Sequence, residues 1–233
     1  MEAIILAGGF GTRLQPLVSD IPKSMALING RPFLEYQIDY LISQGIRKVV
    51  LSVGYKNEII REHFKFHYKS VTIDYAIEEE PLGTGGGIRL AFWKVEDSRA
   101  FALNGDSLFR FDFETLLGLH LKRKADVTMA LRKLKKTGRY GTVSLNRNRR
   151  ITEFTEKKEK SAPGFINGGV YIIEKSFLMA PRFRGYFSIE KDCFGRYFKE
   201  AKMYGFPADG YFLDIGIPED YLKAQNDFTQ FKD

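Results

Sequence analysis

From its second residue to about residue 104 the chain alternates short apolar runs with stretches of helical periodicity, at residues 2–7, 33–44, 48–53, 57–64, 71–77, 88–93 and 100–103. Strands that alternate with helices at this spacing pair as crossover units, which predicts an α/β fold with a doubly wound, mostly parallel, Rossmann-like sheet. Ligands of such sheets sit beyond the carboxyl ends of the strands, so the loops after residues 6, 77 and 103 are where chemistry is expected. From about residue 127 the pattern becomes β-rich, at 127–131, 141–145, 151–155 and 165–173, which predicts a β-rich layer covering the substrate on the same domain. Helical segments are expected near 188–198 and 218–228, and residues 158–163, without a large apolar side chain, predict a mobile surface loop.

A chain of 233 residues with 44% hydrophobic content can bury one sizeable core, so a single domain over 1–233 is expected. No apolar run approaches the roughly 20 residues that span a bilayer, and the N-terminus lacks a basic-then-apolar leader, which predicts a cytoplasmic protein without a membrane partner. The single cysteine, Cys193, reads as a small packed residue, and no Cys/His cluster has zinc-ligand spacing. The net charge of +7 is spread along the chain and lacks aromatic residues interleaved with basic ones, which argues against a nucleic-acid partner. A positive balance suits a site that collects anionic small molecules. A homo-oligomer is left open.

Leu6-Ala7-Gly8-Gly9-Phe10-Gly11-Thr12-Arg13-Leu14 follows the first apolar run directly. Glycines there let backbone N–H groups approach an anion without a Cβ in the way, so a phosphate site is expected. The run lacks the Gly-Lys-Ser/Thr ending of a P-loop, and Leu14 stands where a dinucleotide motif has its third glycine. Pro22-Lys23 then adds a cation behind a residue of fixed φ. With Pro32 and Glu35 beyond, this pattern resembles the signature of the sugar nucleotidylyltransferases, which join a nucleoside monophosphate from an NTP to a sugar 1-phosphate and release pyrophosphate.

The resemblance implies that Leu6, Ala7, Gly8, Gly9, Gly11 and Thr12 wrap the triphosphate, and that Arg13 and Lys23 are the catalytic cations holding the departing pyrophosphate and the reacting phosphates. Pro81-Leu82-Gly83-Thr84-Gly85-Gly86 resembles the family's base-binding stretch, with Gly83 and Thr84 as the implied base contacts. Leu103-Asn104-Gly105-Asp106 and Asp214-Ile215-Gly216 resemble the stretches that supply Mg²⁺ ligands, here Asp106, also beside the nucleotide, and Asp214. Magnesium favours such a pair completed by phosphate oxygens and water.

Residues 140–142, 153–157 and 166–169 resemble the family's sugar-binding strands, which makes the β-rich layer the sugar-binding one. Gly141, Glu156, Lys157 and Asn167 are the implied sugar contacts; Lys158 stands where relatives often have proline. Residues 1–125 would then mainly bind nucleotide, and 126–233 sugar and the second metal ligand. Pro81-Leu82-Gly83-Thr84-Gly85-Gly86, Asn167-Gly168-Gly169 and Asp214-Ile215-Gly216-Ile217-Pro218-Glu219-Asp220-Tyr221 resemble the guanylyltransferases acting on D-glycero-α-D-manno-heptose 1-phosphate, which implies GTP; a mannose 1-phosphate guanylyltransferase or another nucleotide-sugar pyrophosphorylase is the alternative. Phe187-Ser188-Ile189-Glu190 is read either as a loop beside the sugar or as a Ser-capped helix start. A glycosyltransferase would share the sheet and the acidic ligands, but would have no leaving pyrophosphate for Arg13 and Lys23 to grip, and a noncatalytic nucleotide-sugar sensor would be expected to have lost one of Arg13, Lys23, Asp106 or Asp214, all of which are present.

Overall fold

A computed structural model gives the structure of residues 1–9, 14, 20–138, 140–155 and 162–230. In chain order the strands are β1 (Glu2–Leu6), β2 (Leu27–Ile28), β3 (Arg31–Pro32), β4 (Lys48–Val53), β5 (His67–Tyr68), β6 (Val71–Ile77), β7 (Arg99–Asn104) and β8 (Ser107–Phe109). Then follow β9 (Val127–Leu134), β10 (Thr142–Leu145), β11 (Ile151–Thr155), β12 (Gly164–Glu174), β13 (Met203–Ala208) and β14 (Phe212–Asp214). The helices that matter for the site are α1 (Phe33–Ser43), α2 (Asn57–Phe64), α3 (Gly83–Ala91) and α4 (Phe113–Arg123).

Strands β7, β1, β4 and β6 lie side by side and parallel. Their apolar runs are continuous because both faces are covered. Alternate residues feed different cores: Ala3, Ile5, Val49, Leu51, Phe101 and Leu103 pack on one face, whereas Ile4, Val50, Ala100 and Ala102 pack on the other. The chain runs from β1 to β4 to β6 on one side and returns as β7 on the opposite side of β1. That reversal leaves a crevice between the carboxyl ends of β1 and β7, where Leu6 is in register with Asn104.

The β-rich segments of the second half continue this ten-stranded sheet. Antiparallel to β7, β12 carries β9 along its length and β10 at its start, with β11 at the edge and β13 beyond β9. Its register slips between Asn167 and Tyr171, where Gly169 takes φ +71°. A bulge of this kind bends a strand and re-aims its side chains, and here it turns Asn167 at the border between the parallel and antiparallel parts.

The helix expected at 88–93 begins earlier, at Gly83. Glycine weakens an isolated helix by about 1 kcal/mol per residue, but close packing requires it here. A Cβ on Gly85 would lie 2.1 Å from the Phe187 ring, and one on Gly86 would lie 2.7 Å from Leu82 Cβ.

Gly105 donates its N–H to Leu6 O at 3.0 Å, and a Cβ there would sit 2.3 Å from that same backbone oxygen. Gly105→Ala should therefore pry β1 and β7 apart at the crevice and destabilise the fold by about 1–3 kcal/mol, the usual cost of overpacking. Urea unfolding checks this. An unchanged midpoint would show that the turn yields freely.

Candidate active site

At the crevice opens a cleft of about 420 Å³ whose floor is residues 6–9 and 104–106, with Lys23 and Ser24 on one side and Glu78, Pro81, Gly83, Thr84 and Tyr186 on the other. Ala7 is tied to β4 through its N–H to Ser52 O at 2.8 Å, and it accepts from Ser24 Oγ at 3.3 Å. A Cβ on Gly8 would meet Gly54 N at 2.8 Å, whereas Gly9 has nothing within 4 Å of that position and faces open space. Gly11, Thr12 and Arg13 lie outside the described residues.

Lys23 opens a single 3₁₀ turn behind Pro22, whose extended ψ of 143° directs the chain across the crevice. Its Nζ lies 2.5 Å from Asp106 Oδ2, with the lysine side chain only 11% exposed and the aspartate 36%. Asp106 occupies the turn between β7 and β8. Beneath that turn the buried Gln37 of α1 donates through Nε2 to Asn104 O at 2.8 Å and Ser107 O at 2.7 Å. One amide thus clamps both shoulders of the turn.

Asp214, 108 positions further along the chain, arrives because β14 pairs antiparallel with β8, with Asp214 opposite Ser107. The Ile215 N–H donates to Asp106 O at 2.9 Å, and the Gly216 N–H to Asp214 Oδ1 at 2.7 Å. The Cβ position of Gly216 falls 2.6 Å from Asp214 Oδ1 and 3.1 Å from Lys23 Nζ. A side chain at 216 would crowd both the Lys23 ammonium and the Asp214 carboxylate, so glycine keeps that space open.

Among the described residues no group of three or more His, Cys, Asp or Glu side chains could hold a metal. The Asp106–Asp214 pair fits a cation that brings most of its oxygen ligands with a phosphorylated substrate, as magnesium does.

The loop before α3 is anchored by Glu78, whose carboxylate accepts from Leu82 N at 2.9 Å and Ser52 Oγ at 3.1 Å. Gly83 takes φ +71° with its Cβ position 2.6 Å from Phe187 O, so residue 187 backs the loop directly. The Thr84 hydroxyl donates to Glu190 Oε2 and accepts from Ile189 N, both at 2.9 Å. At the N-terminus of α3 the Gly85 N–H is taken by Phe187 O at 2.9 Å, and the amides of Gly83 and Thr84 before it have no intrahelical partner. Ser188 caps the following helical turn by accepting from Lys191 N at 3.1 Å, so the 187–190 segment lies against the start of α3 as a Ser-capped helix start.

In the β-rich part Gly141 leads into β10 with its Cβ position 3.0 Å from Thr155 O, a spacing that favours glycine. Asn167 donates to the Tyr171 hydroxyl at 2.7 Å and accepts from Gly169 N at 2.9 Å. Glu156 and Lys157, and most of the 158–163 segment, lie outside the described residues. The structure adds to the sequence-derived residues Ser24, Gln37, Glu78, Asn104 and Tyr186. Asn104 lines the cleft with a buried Oδ1 that has no hydrogen-bond partner, and Tyr186, 73% exposed, stands at the rim. Asn104 adjoins Gly105-Asp106 and was visible from that position, and Tyr186 adjoins the 187–190 segment whose resemblance already pointed to contacts near residues 186–190.

An anion-approachable glycine turn, an ammonium and two carboxylates at the switch point of a doubly wound sheet define an enzyme that handles phosphorylated nucleotides. The family model described as nucleotidyl transferase matches residues 2–230, and the chain belongs to that family. It is 47% identical to the D-glycero-alpha-D-manno-heptose 1-phosphate guanylyltransferase of Aneurinibacillus thermoaerophilus, over 99% of this chain and 100% of the relative. A mannose-1-phosphate guanyltransferase of Schizosaccharomyces pombe is 36% identical over 95% of this chain, which spans 62% of that relative. The crystal structure of HddC from Yersinia pseudotuberculosis complexed with GMP-PN superposes with a TM-score of 0.86 at 35% identity, covering 97% of this chain and 99% of the other. Among the described residues, no helix is long and apolar enough to cross a membrane.

Proposed function

We propose that this chain transfers GMP from GTP to D-glycero-α-D-manno-heptose 1-phosphate, giving the GDP-activated heptose and pyrophosphate, as a single catalytic domain of the cytoplasm that depends on Mg²⁺. The observation that carries this reading is end-to-end similarity to a heptose 1-phosphate guanylyltransferase at 47% identity, joined to a cleft that gathers Lys23, Asp106 and the glycine turn.

In this reading an oxygen of the sugar phosphate attacks the α-phosphorus of GTP, and the bond from that phosphorus to the β-phosphate oxygen breaks. The attacking phosphate is already ionised near neutral pH, so no base is needed. The work left to the protein is in-line placement and neutralisation of charge on the leaving pyrophosphate. Gly8, Gly9 and Gly11 present backbone N–H groups to the triphosphate, and Lys23 with Arg13 meets the charge that grows on the departing oxygen. Backbone groups of Gly83 and Thr84 read the guanine edge, while Gly141, Glu156, Lys157 and Asn167 hold the sugar and its phosphate. Asp106 and Asp214 would hold the divalent cation, which when bound draws charge from the phosphate oxygens.

A pyrophosphate-release assay over four NTPs and a panel of sugar 1-phosphates tests this. Turnover is expected to need both substrates, with GTP and the heptose 1-phosphate giving the highest kcat/KM. Turnover with NTP and water alone would mark a hydrolase, and equal kcat/KM with mannose 1-phosphate would defeat the heptose assignment.

A further inference from the structure

Helix α1 presents a row of polar side chains to the backbone that leads out of the cleft. Gln37 and Tyr40, with Gln44 just past the helix end, fall at i, i+3 and i+7 and so share one face. Gln44 Oε1 accepts from Phe113 N at 3.0 Å, and the Tyr40 hydroxyl accepts from Phe111 N at 2.6 Å, which fixes the run from β8 into α4. Gln37 is the most buried of the three, at 1% exposure. Its Nε2 gives one proton to Asn104 O and the other to Ser107 O, the two ends of the turn that carries Asp106.

Both of those neighbours can only accept, so the amide nitrogen must face them and Gln37 Oε1 must point away. That oxygen is buried and has no partner among the described residues. An unpaired buried acceptor lowers stability, and leucine at this position would avoid the loss at similar volume. What leucine could not do is hold the two carbonyls. Between them, the Gly105 N–H donates to Leu6 O and Asp106 O accepts from Ile215 N. The Asp106 carboxylate is thereby aimed, with Oδ2 at 2.5 Å from Lys23 Nζ and Oδ1 accepting from Ser107 Oγ at 3.1 Å. Ser107 in turn stands opposite Asp214 in the pairing of β8 with β14. One amide therefore holds both the turn of the first carboxylate and the residue that faces the second.

We infer that Gln37 is a positioning residue, which aims the Asp106 carboxylate at Lys23 and at the divalent cation and sets its spacing from Asp214. This rests on the nucleotidyltransferase reading of the cleft. A misplacement of about 1 Å within a reacting constellation can lower a rate by roughly 10²-fold even when the altered residue touches no substrate. Gly83, Thr84 and Asn167 lie on other elements, so substrate binding should be left nearly unchanged.

The test compares Gln37→Leu and Gln37→Met, which keep the buried volume and lose both bonds, with Gln44→Met, which loses one bond of the same row beyond β8. In the full chain, kcat, the KM values for GTP and the heptose 1-phosphate, the Mg²⁺ concentration for half-maximal rate and the melting midpoint are measured. Without the sugar phosphate, and so without turnover, the rise in midpoint on adding Mg²⁺ to the chain with GTP is measured as well. Each Gln37 variant is expected to lower kcat by roughly tenfold and raise the half-maximal Mg²⁺ concentration by roughly tenfold, the low end for losing an outer partner of a metal ligand, with KM changes below about threefold. Its midpoint should rise less with Mg²⁺ and GTP, because weaker binding stabilises the folded state less. Gln44→Met should lower the midpoint and leave kcat and the Mg²⁺ response at wild-type values. Gln37 variants whose kcat and Mg²⁺ response match those of Gln44→Met, or failure of both to fold, would make Gln37 a stability residue and overturn the inference. Absence of turnover in the wild-type chain with every NTP and sugar 1-phosphate would instead remove the functional reading itself.

Discussion

Asp214→Asn is expected to lower turnover by at least about a hundredfold, raise the Mg²⁺ concentration needed for half-maximal rate, and leave the thermal midpoint near that of the wild type. Loss of even an outer partner of a metal ligand commonly costs roughly 10–100-fold in affinity or activity, and here a proposed ligand itself loses its charge. The fold should tolerate the change because asparagine fills the same volume and its oxygen can still accept the Gly216 N–H now bonded to Asp214 at 2.7 Å. Asp106→Asn should lose activity similarly but behave differently in stability, since Asp106 forms the 2.5 Å pair with Lys23. Truncating one member of a half-buried pair leaves the other charge with less compensation. Initial rates across a Mg²⁺ titration, with melting curves of both variants, separate the two effects. Near-normal rates at low Mg²⁺ in either variant would remove that residue from the metal site.

The parts of this site that rest on chain-local pattern were legible in the sequence; the parts that rest on long-range packing were not. The continuous apolar runs at 2–7, 48–53 and 100–103 have little choice but a sheet covered on both faces, and they become β1, β4 and β7. Once those strands are placed, the loops that follow them fall at one crevice, which is why Gly8, Gly9 and Asp106 could be found together. Asp214 was visible through its motif, but β8 and β14 are three residues each, too short for periodicity to reveal, and only their pairing brings Asp214 beside Asp106. Gln37 shows the opposite difficulty: on a helix pattern it is an ordinary polar position, and its use as a clamp depends on what packs beneath the Asn104–Ser107 turn. The start of α3 at Gly83 contradicts local propensity and is understood only from the Phe187 side, where a Cβ has no room. Glu190 fell in a segment read either as a loop beside the sugar or as a helix start, and its bond from Thr84 joins positions too distant in sequence for a local pattern to show.

Lys23→Met is expected to slow turnover by roughly 10²–10³, the usual effect of losing one well-placed electrostatic donor, and to make the folded state more dependent on a divalent cation. The rate effect follows from timing: charge on the bridging oxygen grows as pyrophosphate leaves, so a cation aimed there meets the transition state more strongly than bound GTP, and kcat should fall further than KM rises. The stability effect follows from the geometry at rest. Lys23 Nζ sits 2.5 Å from Asp106 Oδ2, and the Cβ position of Gly216 is 3.1 Å from that Nζ and 2.6 Å from Asp214 Oδ1. The ammonium therefore offsets the Asp106 carboxylate in the turn before β8. Methionine keeps most of the apolar stem but leaves that carboxylate without its ammonium, and a bound divalent cation then supplies the missing charge. Because a ligand that binds only the folded state stabilises it in proportion to its affinity, Mg²⁺ should raise the melting midpoint of Lys23→Met more than that of the wild type. Equal shifts in the two proteins would show that Lys23 does not shield Asp106, and a loss confined to KM would show that it binds GTP and its transition state alike.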